Sequence, residues 1–214
     1  MAIHLRQLIL VKIPRLFTDT HGFHADITTQ LPEADILVHS GDFTWGGSEE
    51  EAFDFMNWLI ELPYRNKIFI AGNHDACMYQ ADGIQGLPDN VHFLQHSSVI
   101  IDGIKFYGLP LYMEDYMSGR YELYINEIPL DTDVLISHQP PYGILDITDY
   151  GNGPMNHGSK TLRDRVGSLK PKAHLFGHEH SAHGIIEKDN IVFSNGSVLD
   201  DNYKQEFEPR IITL

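Results

Sequence analysis

The chain has 214 residues, 42% hydrophobic and 21% charged, enough for one well-buried domain and too apolar for wholesale disorder. Thirty Asp and Glu against 15 Lys and Arg leave a formal net charge of −15. That disfavours a nucleic-acid polymer held by surface charge, which needs a Lys/Arg face to displace counterions, but it leaves room for small phosphorylated ligands, since metal ions reverse the local sign in a pocket.

Cys77 is the only cysteine, so no intrachain disulfide can form and a reducing cytoplasm is the expected location. No apolar run approaches the roughly 18 residues of a membrane span, so no membrane partner is expected. Leu8-Ile9-Leu10-Val11 is too short for a signal-peptide core and reads as strand.

In chain order, Gln7 to Phe17 is apolar with Pro14 inside it, an edge strand or two short strands with a break, and runs into Thr18-Asp19-Thr20-His21-Gly22. Ala34 to Val38 reads as a buried strand ending in His39-Ser40-Gly41-Asp42. Ser48 to Leu62 reads as a helix: Ser48 is an N-cap, Glu49, Glu50 and Glu51 suit the first turn, and Ala52, Phe55, Met56, Leu59 and Ile60 recur at helical spacing. Pro63 stops it. The strand Lys67-Ile68-Phe69-Ile70 closes a strand–helix–strand unit of the α/β kind and empties into Ala71-Gly72-Asn73-His74-Asp75. Residues 76 to 90 read as loop and short helix.

Val91 to Leu94, Ser98 to Ile101 and Ile104 to Gly108 are short strands, the last two joined by an Asp102-Gly103 hairpin turn. Pro110 to Glu127, rich in Tyr and Met without a clean period, is a long connection: a lid or substrate wall, or equally a packed surface loop. Val134 to Ile136 is a strand ending in Ser137-His138-Gln139-Pro140-Pro141. A Gly-rich loop, Tyr150 to Gly158, leads into a helix from Ser159 to Val166 ended by Gly167. Ala173 to Phe176 is a strand ending in Gly177-His178-Glu179-His180. Ile185 to Glu187 and Ile191 to Phe193 flank an Asp189-Asn190 hairpin turn, and Ile211 to Leu214 is a last strand. No linker, repeat or low-complexity block interrupts the chain, so residues 1–214 are expected to form a single domain.

Five apolar strands thus end in polar clusters, and in open α/β sheets ligand sites lie beyond the carboxyl ends of strands. Asp19, His21, Asp42, Asn73, His138, His178 and His180 offer oxygen and imidazole donors and no thiolate. That set suits Mn, Fe, Zn or similar divalent ions. Seven donors are too many for one tetrahedral site and reasonable for two metals about 3.5–4 Å apart sharing a carboxylate. In extended chain, residues i and i+2 point to one side, so Asp19 can converge with His21, and His178 with His180. At the third strand end, His74 can carry a proton and Asp75 can orient its imidazole.

Asp19-Thr20-His21, Gly41-Asp42, Gly72-Asn73-His74-Asp75, Ser137-His138 and Gly177-His178-Glu179-His180 resemble, in order and approximate spacing, the five blocks of the calcineurin-like metallophosphoesterase superfamily. Ile36 to Thr44, Ile104 to Gly108 and Pro140 to Asp146 are similar to the branch that includes the metallophosphoesterase-domain-containing proteins of animal brain and their bacterial relatives. The resemblance implies an α/β fold, a four-layer αββα sandwich with two mixed β-sheets. It implies one metal on Asp19, His21, Asp42 and His180 and a second on Asp42, Asn73, His138 and His178, with Asp42 bridging. It further implies hydrolysis of a small phosphoester, with a cyclic-nucleotide-like diester as the expected substrate and hydroxide held between the metals as nucleophile. His74 would stabilise charge or protonate the leaving oxygen, with Asp75 on its other nitrogen.

Two other functions are open. A phosphomonoesterase or phosphoprotein phosphatase is disfavoured because such phosphatases usually carry further Arg beside these blocks, where this chain has Phe43-Thr44 and Asp75. A non-catalytic scaffold of the same fold is disfavoured because His74 and every ligand position remain. His157, in the Gly-rich loop, is a weaker candidate for substrate contact. His39 reads as a core histidine, His183 lies off the spacing of the last block, Lys160 and Arg163 as helix surface, and Trp45 and Trp58 as packing.

Overall fold

The computed structural model describes residues 15–31, 33–81 and 83–212. The predicted strand before Arg15, its Pro14 break, and positions 213–214 of the last strand lie outside the described residues.

Two mixed β-sheets carry the fold. In the first, β1 (Arg15–Phe17), β2 (Ile36–His39), β3 (Asn66–Phe69) and β4 (Val91–Phe93) lie parallel in that order, and β13 (Arg210–Ile211) joins β1 antiparallel. In the second, β12 (Ile191–Asn195), β10 (Ala173–Phe176), β7 (Val134–Ser137) and β6 (Ile104–Leu109) lie parallel, edged antiparallel by β11 (Gly184–Lys188) and β5 (Ser97–Ile101). β8 (Ile147–Thr148) and β9 (Met155–Asn156) form a separate hairpin.

Alternation along each strand explains the layers, because successive side chains point to opposite faces. Leu16, Val38 and Ile68 of the first sheet pack with Phe106, Ile136 and Leu175 of the second to fill the space between them. Their neighbours Phe17, Leu37 and Phe69 face outward onto Phe55, Met56 and Leu59 of α1 (Glu49–Glu61). On the far side Tyr107, Leu135 and Phe176 meet Tyr121 and Ile125 of α3 (Arg120–Glu127), and Leu162 and Val166 of α4 (Lys160–Leu169). Strands buried on both faces read as continuous apolar runs, as parallel sheets require.

α1 starts as the sequence predicts. Ser48 accepts from the Glu51 N–H while the Glu51 carboxylate accepts from the Ser48 N–H, a reciprocal cap worth about 1 kcal/mol. The hairpin turns at Asp102-Gly103 and Asp189-Asn190 are both present, with φ of 50° and 81°, and of 54° and 60°. Two elements differ from expectation. The 110–127 connection is helical, as α2 (Met113–Ser118) and α3, broken at Gly119 with φ 78°. Burial of Tyr121 and Ile125 at i, i+4 spacing holds α3, a period obscured in the sequence by the exposed Leu123 and the half-buried Tyr124 between them. α4 continues through Gly167 and ends at Lys170, which is left-handed at φ 51°. Glycine inside a helix costs about 1 kcal/mol, and burial of Val166 and Leu169 on either side of it outweighs that. Among the described residues no helix is long and apolar enough to cross a membrane.

Candidate metal centre

The ends of β1, β2, β3, β7 and β10 meet at one edge of the sandwich. Asp19 N–H donates to the Gly41 carbonyl at 3.0 Å, and His21 N–H to the Asp42 carbonyl at 3.0 Å. The His138 carbonyl in turn accepts from Gly177 N–H at 3.1 Å. Asp19, His21, Asp42 and His178 all have positive φ, between 41° and 73°. Such backbone costs a non-glycine residue about 1–3 kcal/mol and persists only where the surroundings fix it. The backbone also approaches closely here: a Cβ on Gly72 would lie 2.2 Å from Asp42 Oδ1.

All seven sequence-predicted ligands are brought together. Asp42 Oδ2 lies 3.3 Å from His138 Nε2 and 3.7 Å from His21 Nε2. His138 Nε2 is also 3.0 Å from Asn73 Oδ1 and 3.2 Å from His178 Nδ1. On the other side His180 Nε2 is 3.8 Å from Asp19 Oδ1. Two groups with metal-binding geometry therefore form, Asp19/His21/His180 and Asp42/His138/His178, and His21/Asp42/His74 links them.

Several rings are aimed by outer partners. His138 Nδ1 bonds the Ser40 carbonyl at 2.9 Å and His180 Nδ1 the Asp200 carbonyl at 3.0 Å, which turns both Nε2 atoms to the cluster. Ser197 Oγ donates to Asp19 Oδ2 at 2.5 Å, and His178 N–H donates to both Asp19 oxygens.

The donor set fits divalent cations. Both ring nitrogens of His21 are buried without a partner, which a neutral imidazole facing a metal explains. Burial lowers the pKa of His21, against the pull of Asp42, and lowers that of His178 to about 4 with help from His138. Both rings thus keep a free lone pair at neutral pH. Burial also opposes charge on His138 and Asp42, yet Asp42 raises His138 to about 9 and His138 holds Asp42 well below the usual carboxylate range. A bound cation takes the place of that proton, since metal ligands must be deprotonated.

Asp75 corrects one expectation. Its carboxylate does not orient His74, whose Nδ1 lies 3.0 Å from the Trp45 carbonyl. Instead Asp75 accepts the backbone N–H groups of Asp42 (2.8 Å), Thr44 (2.9 Å) and Gly72 (2.8 Å), and the Thr44 hydroxyl (2.8 Å). A buried carboxylate seeks the densest set of donors, and two loops supply it where a single imidazole cannot. Burial and the neighbouring Asp42 push Asp75 up to about 7 against those donors. Trp45 is likewise more than packing. It is 51% exposed, and its ring meets His21 and Tyr203 beside the cluster.

A cavity of about 300 Å³ opens beside Asn73 and His178, lined also by Leu111, Met113, Tyr116, Gln139, Tyr150, His157 and Glu179. His157 therefore stands on its wall, with its ring 4.7 Å from that of Tyr150. His39 is a buried core residue bonded to Gly41 N–H and Thr20, and His183 stacks on Phe207. Sequence reasoning missed Gln139, Tyr150 and Glu179. It also missed Ser197, although β12 ends in a polar turn like the other strands.

A sandwich of two mixed sheets with Asp/His clusters at its strand ends is the architecture of the metallophosphoesterase fold class. The calcineurin-like phosphoesterase family matches residues 16–182, and the chain belongs to that family. A UPF0046 protein of Caenorhabditis elegans is 33% identical over 218 residues, covering 92% of this chain and 73% of its own length. Metallophosphoesterase domain-containing protein 1 of Homo sapiens is 31% identical over 229 residues, covering 92% and 69%. A crystal structure that covers 94% of this chain and 98% of its own superposes with a TM-score of 0.61 at 16% identity, and shows the shared fold.

Proposed function

We propose that the chain, as one catalytic unit over residues 1–214 working in the cytoplasm, is a phosphodiesterase for small diesters. Its metals would be Mn, Fe or Zn. Metal-dependent phosphoester hydrolysis follows from the family. The diester preference rests on one observation: no Lys or Arg lines the cavity beside the cluster among the described residues, while the buried carboxylate of Glu179 does. A phosphomonoester dianion brings a second negative charge that would find no cationic side chain there, whereas a diester carries only one. A cyclic nucleotide is the first substrate to try.

In this reading Asp19, His21, Asp42 and His180 hold one metal, and Asp42, Asn73, His138 and His178 the other. When bound, two divalent ions supply a nucleophile from water at neutral pH and neutralise the phosphoryl oxygens. His74 Nδ1–H donates to the Trp45 carbonyl, so Nε2 would protonate the leaving oxygen from the imidazolium form of the ring. Asp75 and Thr44 hold the loop that carries Asp42. No protein nucleophile is required, and the Cys77 thiol suits none: burial and the charge of Asp75 push it up to about 11.

The test is a panel on metal-stripped protein reloaded with Mn²⁺, Fe²⁺ or Zn²⁺, comparing 2′,3′- and 3′,5′-cyclic nucleotides with the matched monoesters. Diester turnover exceeding monoester turnover is expected. Faster monoester turnover would return the assignment to a phosphatase.

A further inference from the structure

The cavity beside Asn73 and His178 contains polar groups that the hydrolytic scheme leaves unused: Glu179, Tyr150 and Gln139 offer acceptor oxygens, and His157, whose Nε2 is buried without a partner, stands with them. Glu179, 1% exposed, accepts the Tyr150 hydroxyl on Oε2 at 3.0 Å, while its Oε1 lies 3.7 Å from His178 Nε2. That bond fixes the Tyr150 proton on Glu179, so the phenol oxygen turns lone pairs toward the cavity. Burial and the charge of Glu179 raise the Tyr150 pKa further above its ordinary value, which keeps the phenol protonated in this role. Gln139 is 7% exposed, and its buried Oε1 has no partner. A buried amide oxygen without a partner marks a place where a ligand donor belongs.

The walls are aromatic and thioether. Tyr116 and Met113 of α2 stand on the lining with Tyr150, each about half exposed or more. No Lys or Arg lines the cavity among the described residues; Lys160 lines an adjoining cavity that shares Tyr116, Gln139 and His157, with its ammonium over the Tyr142 ring, and the ring of His178, if it holds a metal, is neutral. A pocket with acceptors at its base, π faces on its sides and no cation of its own fits a positively charged donor.

We propose that this cavity is the subsite for one ester arm of the substrate, and that Glu179, Tyr150 and Gln139 select an arm carrying an ammonium group. The substrate class is then a zwitterionic phosphodiester. This rests on the phosphodiesterase reading above and adds the chemistry of the arm. The bond changes are those of hydrolysis. Water oxygen bonds to phosphorus, one P–O ester bond breaks, and the proton goes to the departing oxygen. The ammonium arm takes no part in them.

The test uses the full chain loaded with Mn²⁺ and three diesters sharing a p-nitrophenyl leaving group. Their second arms are ethanolamine, N-acetylethanolamine and ethyl: a charged donor, a neutral donor and neither. The ethanolamine diester is expected to exceed both others in kcat/KM by about tenfold, the scale of a partly desolvated cation–π and charge contact. Tyr150→Phe and Glu179→Gln are expected to bring that ratio toward one, whichever way the absolute rates move. Equal rates for the three arms, or a ratio that survives both substitutions, would overturn the proposal. If no diester is turned over at all, the phosphodiesterase reading fails separately. Calorimetric titration of the loaded protein with phosphorylethanolamine against ethyl phosphate then decides the subsite: about tenfold tighter binding of the amine sustains it, and equal affinity overturns it.

Discussion

The Asp75 carboxylate accepts the backbone N–H of Asp42 at 2.8 Å, across 33 positions of sequence. The same oxygen accepts Gly72 N–H, and the other takes Thr44 through both backbone and hydroxyl. Asp75 is therefore the clasp between the loop that presents Asp42 and the loop that presents Asn73 and His74. Asp75→Asn turns an amide N–H₂ toward donors and leaves at least one of them unsatisfied. A loss of about 2–3 kcal/mol is expected, read as a fall of about 5–10 °C in the thermal midpoint, together with reduced metal content. The shape of the pH–rate profile is expected to stay, because Asp75 does not touch the His74 ring.

Gly72 offers a steric test of the same clasp. An added Cβ would sit 2.2 Å from Asp42 Oδ1 and 2.6 Å from its backbone nitrogen, so Gly72→Ala must push Asp42 out of place. Metal analysis after dialysis should show the loss, with a stability cost of about 1–3 kcal/mol. Gly86 serves as control: its φ is positive, at +87°, unlike that of Gly72, yet nothing lies within 4 Å of the added carbon. Gly86→Ala should retain metal.

Asp42 belongs to the Asp42/His138/His178 group and, with His21 and His74, to the group that joins it to Asp19/His21/His180. Asp42→Asn, which keeps the volume and removes the charge, is expected to lower bound metal from two ions per chain to one or none, measured by elemental analysis. Unchanged stoichiometry would remove it from the bridging position.

His74 contributes differently. Its Nδ1 is tied to Trp45, and it lies at the side of the cluster, 4.6 Å ring to ring from His21. His74→Gln is expected to cut kcat by about 10²–10⁴, the range of general acid catalysis, with metal content unchanged. Parallel loss of metal would make it a ligand instead.

Acid stability tests the core beside the site. His174 in β10 is fully buried, with Nε2 2.8 Å from Ser137 Oγ, and burial lowers its pKa to about 3. Below about pH 6.5 the unfolded chain takes up a proton at this ring and the folded chain does not, so its contribution is full above that pH and falls as the solution is acidified. Between pH 7 and 5 the loss from this group should be about 2 kcal/mol. Denaturant titrations of metal-stripped protein at both pH values, with His174→Gln for comparison, should show a shallower pH slope in the variant.

The sequence by itself named the donor set and, through its resemblance to a family, the layers. Apolar runs buried on both faces were recognisable as parallel strands, and the Asp, Asn and His donors stood just after them, so a ligand set could be named from strand ends alone. Local signals also sufficed for the Ser48 cap and both hairpin turns, since each is a matter of a few adjacent residues. Tertiary structure decided what depends on partners distant in the chain. The acceptor of an Asp75 bond or the carbonyl that turns His74 is chosen by which loops pack together, and no spacing rule holds that information. α4 passes Gly167 because buried neighbours on either side outweigh a weak local preference. The cavity is assembled from Asn73, the 111–116 stretch, Gln139, the 150–157 loop and Glu179. The lack of Lys and Arg on its wall among the described residues is a property of that assembly, and it emerges only once five separate segments share one space.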